Sequence, residues 1–168
     1  MHKVVSRLLL ALVAAVVGAG LMAGPAQAAG QTQARILDSF GYGQLKLGMS
    51  EADAVATGLL TAGEPGKCAA YYFVPSEGSM PRSSGVFISK TDGVTVIGGT
   101  SKMRTPQEIW RGSTLDDLRE AYPDLTQDSQ MDWIYRASAP GNPAANYSFV
   151  VNFNQVQDFA LEATGKGC

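Results

Sequence analysis

The sequence predicts an α+β fold: two tandem helix-then-three-strand units, with the helices packed on one face of an antiparallel sheet. Two observations carry the prediction. LKLGMSEADAVATGLL (from Leu45) and IWRGSTLDDLREAYPD (from Ile109) each write a glycine, one residue, a hydroxyl, then a helical pattern opening on acid. Each is followed by short β-rich runs punctuated by turn residues.

Taken in order, residues 1–28 read as a signal peptide. His2, Lys3 and Arg7 precede an apolar run from Leu8 to Leu21, and Ala26-Gln27-Ala28 offers an A-x-A site, so cleavage is expected after Ala28. The run is short of the ~20 residues a spanning helix needs. The mature protein is expected to be secreted, with no membrane span. About 140 residues would remain, the size of one compact domain. Residues 29–44 form a lead-in, in which Ile36 to Phe40 reads as a short helix.

The first helix-sheet unit is placed at 45–104 and the second at 105–168. In the first, Ser50 is the expected N-cap and Asp53 stands where a carboxylate reaches back to the cap. Ala52, Val55, Ala56 and Leu59 would form the apolar face, and Gly63 with Pro65-Gly66 the stop. Strands follow over Ala69–Val74, Val86–Ser89 and Val94–Ile97, the last two joined through Thr91-Asp92-Gly93. Gly98 to Pro106 reads as loop. In the second unit Thr114 caps with Asp117 three residues on, and Leu115, Leu118, Tyr122 and Leu125 make the face. Its strands are Asp132–Arg136, Tyr147–Phe153 and Val156–Leu161, with Asn154-Gln155 in the last turn. Tyr147, Phe149, Val151 and Phe153 share one face, with Ser148, Val150, Asn152 and Asn154 opposite, as in a sheet packed on one side.

The run LGMSEADA resembles the helix-loop signature G-M-[ST]-x-x-x-apolar of a superfamily of exported bacterial proteins. That superfamily includes the β-lactamase inhibitory proteins and the small lipoprotein of the β-barrel assembly machine. The longer run RTPQEIWRGSTLDDLREAYPDL looks more like secreted proteins of high-GC Gram-positive bacteria than like the inhibitor. The resemblance implies a helix-packed antiparallel sheet used as a protein-binding surface. No contact residue of the inhibitors carries over by motif.

Composition excludes much chemistry. The only histidine is His2, inside the expected signal peptide, so imidazole catalysis and imidazole metal sites are not expected in the mature chain. Cys68 and Cys168 read as one disulfide of an exported protein. It would close a loop of about 100 residues, worth ~4–5 kcal/mol in the chain-entropy model. Without Lys3 and Arg7 the charge falls from −2 to −4, and no basic run suits nucleic acid. The first-turn acids Glu51, Asp53, Asp116 and Asp117 read as helix-starting residues. Asp124, Asp128 and Asp132 lack the order of a calcium loop. IGGTSKMR lacks phosphate-loop spacing. No metal or other cofactor is expected.

Aromatics remain as the lead. Trp133 and Tyr135 fall on one face of a strand, and the sequence does not say whether that face is core. Trp110 stands where the first segment has Lys46. Trp110, Trp133 and Tyr135 are thus the candidate binding residues. The expected function is that of a secreted, non-enzymatic, inhibitor-like binding protein recognising an extracellular or cell-envelope protein through a sheet face or loops. The alternatives are a secreted hydrolase using paired carboxylates and a structural cell-envelope protein.

Overall fold

In the computed structural model the described residues are 35–167 without 62, 82 and 83. The expected signal peptide lies outside them. Eleven strands and two helices follow in order. They are β1 (Arg35–Asp38), β2 (Gly41–Tyr42), β3 (Leu45–Lys46), α1 (Glu51–Ala56), β4 (Cys68–Tyr71), β5 (Val86–Ser89) and β6 (Gly93–Gly98), then β7 (Met103–Arg104), α2 (Leu115–Ala121), β8 (Thr126–Gln127), β9 (Ile134–Ala139), β10 (Asn142–Asn152) and β11 (Gln155–Ala163). A 3-10 turn spans Pro75–Glu77.

The expected α+β architecture of two helix-then-three-strand units is corrected. The described chain is mostly β, 43% strand against 12% helix, in two sheets of four and seven strands. The seven-stranded sheet runs β4-β5-β6-β11-β10-β9-β8 and the four-stranded one β3-β2-β1-β7. The helices, six and seven residues long, are too short to form a layer over such a sheet.

Of the helix expected at Ile36 to Phe40, Ile36 to Asp38 is strand instead, and Ser39 and Phe40 lie in the turn that follows. Ile36 pairs with Arg104 in the parallel β1–β7 ladder, inside the stretch expected to be loop, and Leu37 pairs with Tyr42. A partner more than sixty residues away decides this segment, and local periodicity does not contain it.

The core lies on one face of the large sheet. Across β10 and β11, Tyr147 faces Leu161 and Phe149 faces Phe159, all fully buried. Tyr122 packs its ring on both Tyr147 and Phe149. The small sheet docks on this face: the Tyr147 hydroxyl donates to Leu37 O at 2.9 Å, and Asn142 Nδ2 donates to Ser39 O at 2.6 Å. Burial holds the Tyr147 phenol up at about 12.

Ser50 accepts a hydrogen bond from Asp53 N, and its hydroxyl donates to Asp53 Oδ2 at 2.7 Å. Thr114 makes a full capping box: Asp117 N donates to Thr114 Oγ1 at 3.1 Å, and Thr114 N donates to Asp117 Oδ2 at 2.8 Å. The α2 face buries Leu115, Leu118 and Tyr122. The α1 face differs from expectation, because Ala54 is its buried residue and Val55 is exposed. Helix α1 also stops at Thr57, well before Gly63.

Candidate functional site

The β10–β11 hairpin reaches one end of the large sheet. Its last pair is Asn152 with Gln155, which leaves Phe153 and Asn154 as a two-residue turn. Both have positive φ, +51° and +61°, the left-handed pair that a type I′ turn requires. Asparagine tolerates that region and phenylalanine does not. Alternation alone continues the core face of the strand through Phe153. The structure turns the chain there and leaves the ring 98% exposed.

Two further segments are hydrogen-bonded beside this turn. On one side Gly112 N donates to Val156 O and Val156 N to Ser113 O, both at 2.8 Å, while Leu115 N donates to Asn154 O at 3.1 Å. That fixes the loop carrying Trp110, which is 58% exposed. On the other side Val151 N donates to Trp133 O at 2.8 Å, and Trp133 is 45% exposed. The structure therefore brings Trp110 and Trp133 to opposite flanks of one hairpin end. Tyr135 is not with them on the surface; opposite Phe149 on β9, it packs against the core.

Of six exposed large hydrophobics among the described residues, Trp110, Met131, Trp133 and Phe153 belong to the segments meeting here; Phe40 and Val55 do not. Among the described residues the three non-glycine positions with positive φ are Glu108, Phe153 and Asn154. They lie on the same segments, Glu108 two residues before Trp110. Apolar exposure and backbone strain thus coincide. A polar rim of Asn152, Gln155 and Gln157 surrounds the turn.

The carboxylates expected in first helical turns are engaged structurally. Glu51 accepts from the Tyr71 hydroxyl at 2.6 Å, and Asp116 pairs with Arg119 at 3.2 Å. Asp117 sits below the ordinary carboxylate range because the Thr114 backbone N–H, and then its hydroxyl, favour the anion. Asp128 is likewise held low, first by the Gln130 and Met131 amides and then by Arg136. No group of side chains able to hold a metal ion occurs among the described residues, and no described helix is long and apolar enough to cross a membrane. Cys68 opens β4 and is not a free thiol. Cys168 lies outside the described residues, and so does the expected bridge to it.

Sequence reasoning missed two more acids. Asp158 and Glu162 stand on the outer face of β11, away from the core, and burial raises both carboxyls above their ordinary values. For Glu162, Arg136 and Ser148 oppose the shift. For Asp158, the Phe159 amide, Ser84 and Arg111 oppose it.

Compared with protein-family models, curated proteins and solved structures, the chain matches none. The resemblance carried by LGMSEADA rests on those residues alone.

Proposed function

We propose that the protein is a secreted, non-enzymatic binding protein whose hairpin end seats in an apolar recess of an extracellular or cell-envelope protein. The observation that carries this reading is Phe153. A large aromatic is held at φ +51° and left 98% exposed at the tip of the longest hairpin. A folded chain gains nothing for its own stability from that placement. Trp110 and Trp133 flank the turn, in the arrangement of aromatic anchors within a polar rim. Export is supported by the leader pattern of residues 1–28.

The test places a photo-cross-linking phenylalanine analogue at position 153 of the full chain and identifies what it captures from the envelope and medium of its own source. The purified partner is then titrated with wild type, Phe153→Asn and Trp110→Ala. Each variant is expected to bind roughly 30-fold more weakly, a hot-spot loss of about 2 kcal/mol. Unchanged affinity in both variants, or no captured protein, overturns the proposal.

A further inference from the structure

The outer face of the seven-stranded sheet carries a second feature. Five adjacent strands contribute one apolar side chain each to its floor: Phe87, Val96, Ala160, Val150 and Ile134. The register puts them together, with Phe87 opposite Val96, Val96 opposite Glu162, Ala160 opposite Ser148, and Val150 opposite both Asp158 and Ile134. The recess they form has a volume of about 250 Å³. Asp158 and Glu162 also line it. Four residues apart on one strand, they point to the same side with Cα atoms ~13 Å apart.

Among the described residues the charge in this recess is unbalanced, and Arg136 is the one cationic residue of the described lining. Its Nη1 is bound to Asp128, and its Nε lies 3.9 Å from Glu162 Oε2. Asp158 accepts from the Phe159 amide at 2.9 Å, and Arg111 acts on it only as a more distant charge. Two carboxylates over an apolar floor thus face one guanidinium that is already engaged by a third carboxylate.

We propose that this recess receives an arginine or lysine side chain presented by an extended segment of another protein. A carboxylate at one end of the recess complements the cationic head, and the apolar floor receives the methylene stem. The volume is below the roughly 300–1,000 Å³ of whole small-molecule sites and suits one long side chain. The recess adjoins the hairpin end through Met131, but Trp110, Trp133 and Phe153 do not line it, so either reading can fail without the other.

The test uses a random twelve-residue peptide display library as the probe, selected on the immobilised full chain. Enriched peptides are expected to carry an arginine or lysine among apolar residues. Replacing that residue by citrulline or norleucine, and separately using the Asp158→Asn/Glu162→Gln double variant, should each weaken binding tenfold or more. Phe153→Asn should leave it unchanged. No enrichment, enrichment without a basic residue, or affinity that falls with Phe153→Asn but not with the double variant overturns the proposal. Val150→Lys, which keeps the sheet's hydrogen bonds and puts a cation over the floor, checks the location: it should weaken binding tenfold or more, and unchanged binding there also overturns the proposal.

Discussion

Replacing Phe153 by asparagine should make the protein more stable. A non-glycine residue in the left-handed region costs roughly 1–2 kcal/mol, and asparagine recovers part of that through local hydrogen bonding of its short side chain. At 98% exposure the phenyl ring has no burial to lose. The turn cannot relax on its own. Leu115 N holds Asn154 O, Thr114 bridges to Gln155, and Val156 is bonded to Gly112 and Ser113. The strain therefore persists in the wild type and is released by the substitution. The expected gain is about 1 kcal/mol, which for a domain of this size moves the thermal midpoint by roughly 3–5 °C. Urea denaturation followed by far-UV circular dichroism measures it, with an unchanged m-value showing that the unfolded state is not the source. Equal or lower stability of Phe153→Asn would refute the reasoning, because it would mean that the ring supports the fold. Asn154→Ala, placing alanine at φ +61°, is the control and should lose about 1 kcal/mol.

Thr114→Ala should cost about 1 kcal/mol by removing one arm of the capping box, read by the same denaturation. Asp117→Asn should weaken the fold at neutral pH only. The anion's contribution is present above the ordinary carboxylate range and disappears as pH falls through the depressed folded value, so the two melting curves should converge in acid. Asp158 has the opposite sign. Its raised folded value makes ionisation unfavourable to folding, so Asp158→Asn should be more stable than wild type near pH ~8 and lose that advantage towards pH ~4. An advantage that grows in acid would contradict it. Gly93→Ala should destabilise more than Gly112→Ala, by thermal melting. Both have positive φ, but a Cβ at Gly93 would lie 2.4 Å from Met49 O, while at Gly112 nothing stands within 4 Å.

What was legible in the sequence is what local chemistry dictates. Ser50 with Asp53 and Thr114 with Asp117 announce helix starts within four residues, and the bonds that cap them are made there. The alternation of Tyr147, Phe149 and Val151 announces a one-sided strand, and those three are buried, but Ser148 on the opposite face is buried as well. The misreadings arise where a distant partner decides. Ile36 to Phe40 has spacing that suits a helix until β7 pairs with it. The strand was carried through Phe153 because nothing near that residue is a usual turn former except Asn154. The clamp that bends the chain there comes from residues 112–115. The shared face of Asp158 and Glu162 is hidden from local pattern for a similar reason. The register shift between Val150 and Val151 breaks the pairing parity of β10 and β11, so a plain period of two does not place Val156 and Phe159 on one face.

Although the two-unit architecture does not hold, the headers that suggested it dock alike. Gly48 N donates to Val94 O and Val94 N to Met49 O, just as Gly112 N donates to Val156 O and Val156 N to Ser113 O. Each header therefore clamps the first residues of a strand that has just left a hairpin turn. The two turns differ. Before Val94 stand Thr91, Asp92 and Gly93, where Ser89 and Thr91 hydroxyls satisfy Asp92 and Lys166 pairs with it at 2.6 Å. Before Val156 stand Phe153 and Asn154, with an aromatic in a backbone region that glycine occupies at Gly93. One clamped turn satisfies its own polar groups, and the other holds an unburied aromatic under strain between two exposed tryptophans. A clamp strong enough to keep an ordinary turn in place is what allows the second turn to hold a residue that would otherwise relax. Release of the clamp on that side, by Gly112→Pro, which removes the donor to Val156 O and cannot adopt the φ of +111° found there, should then abolish partner capture at Phe153 even though Phe153 itself is intact.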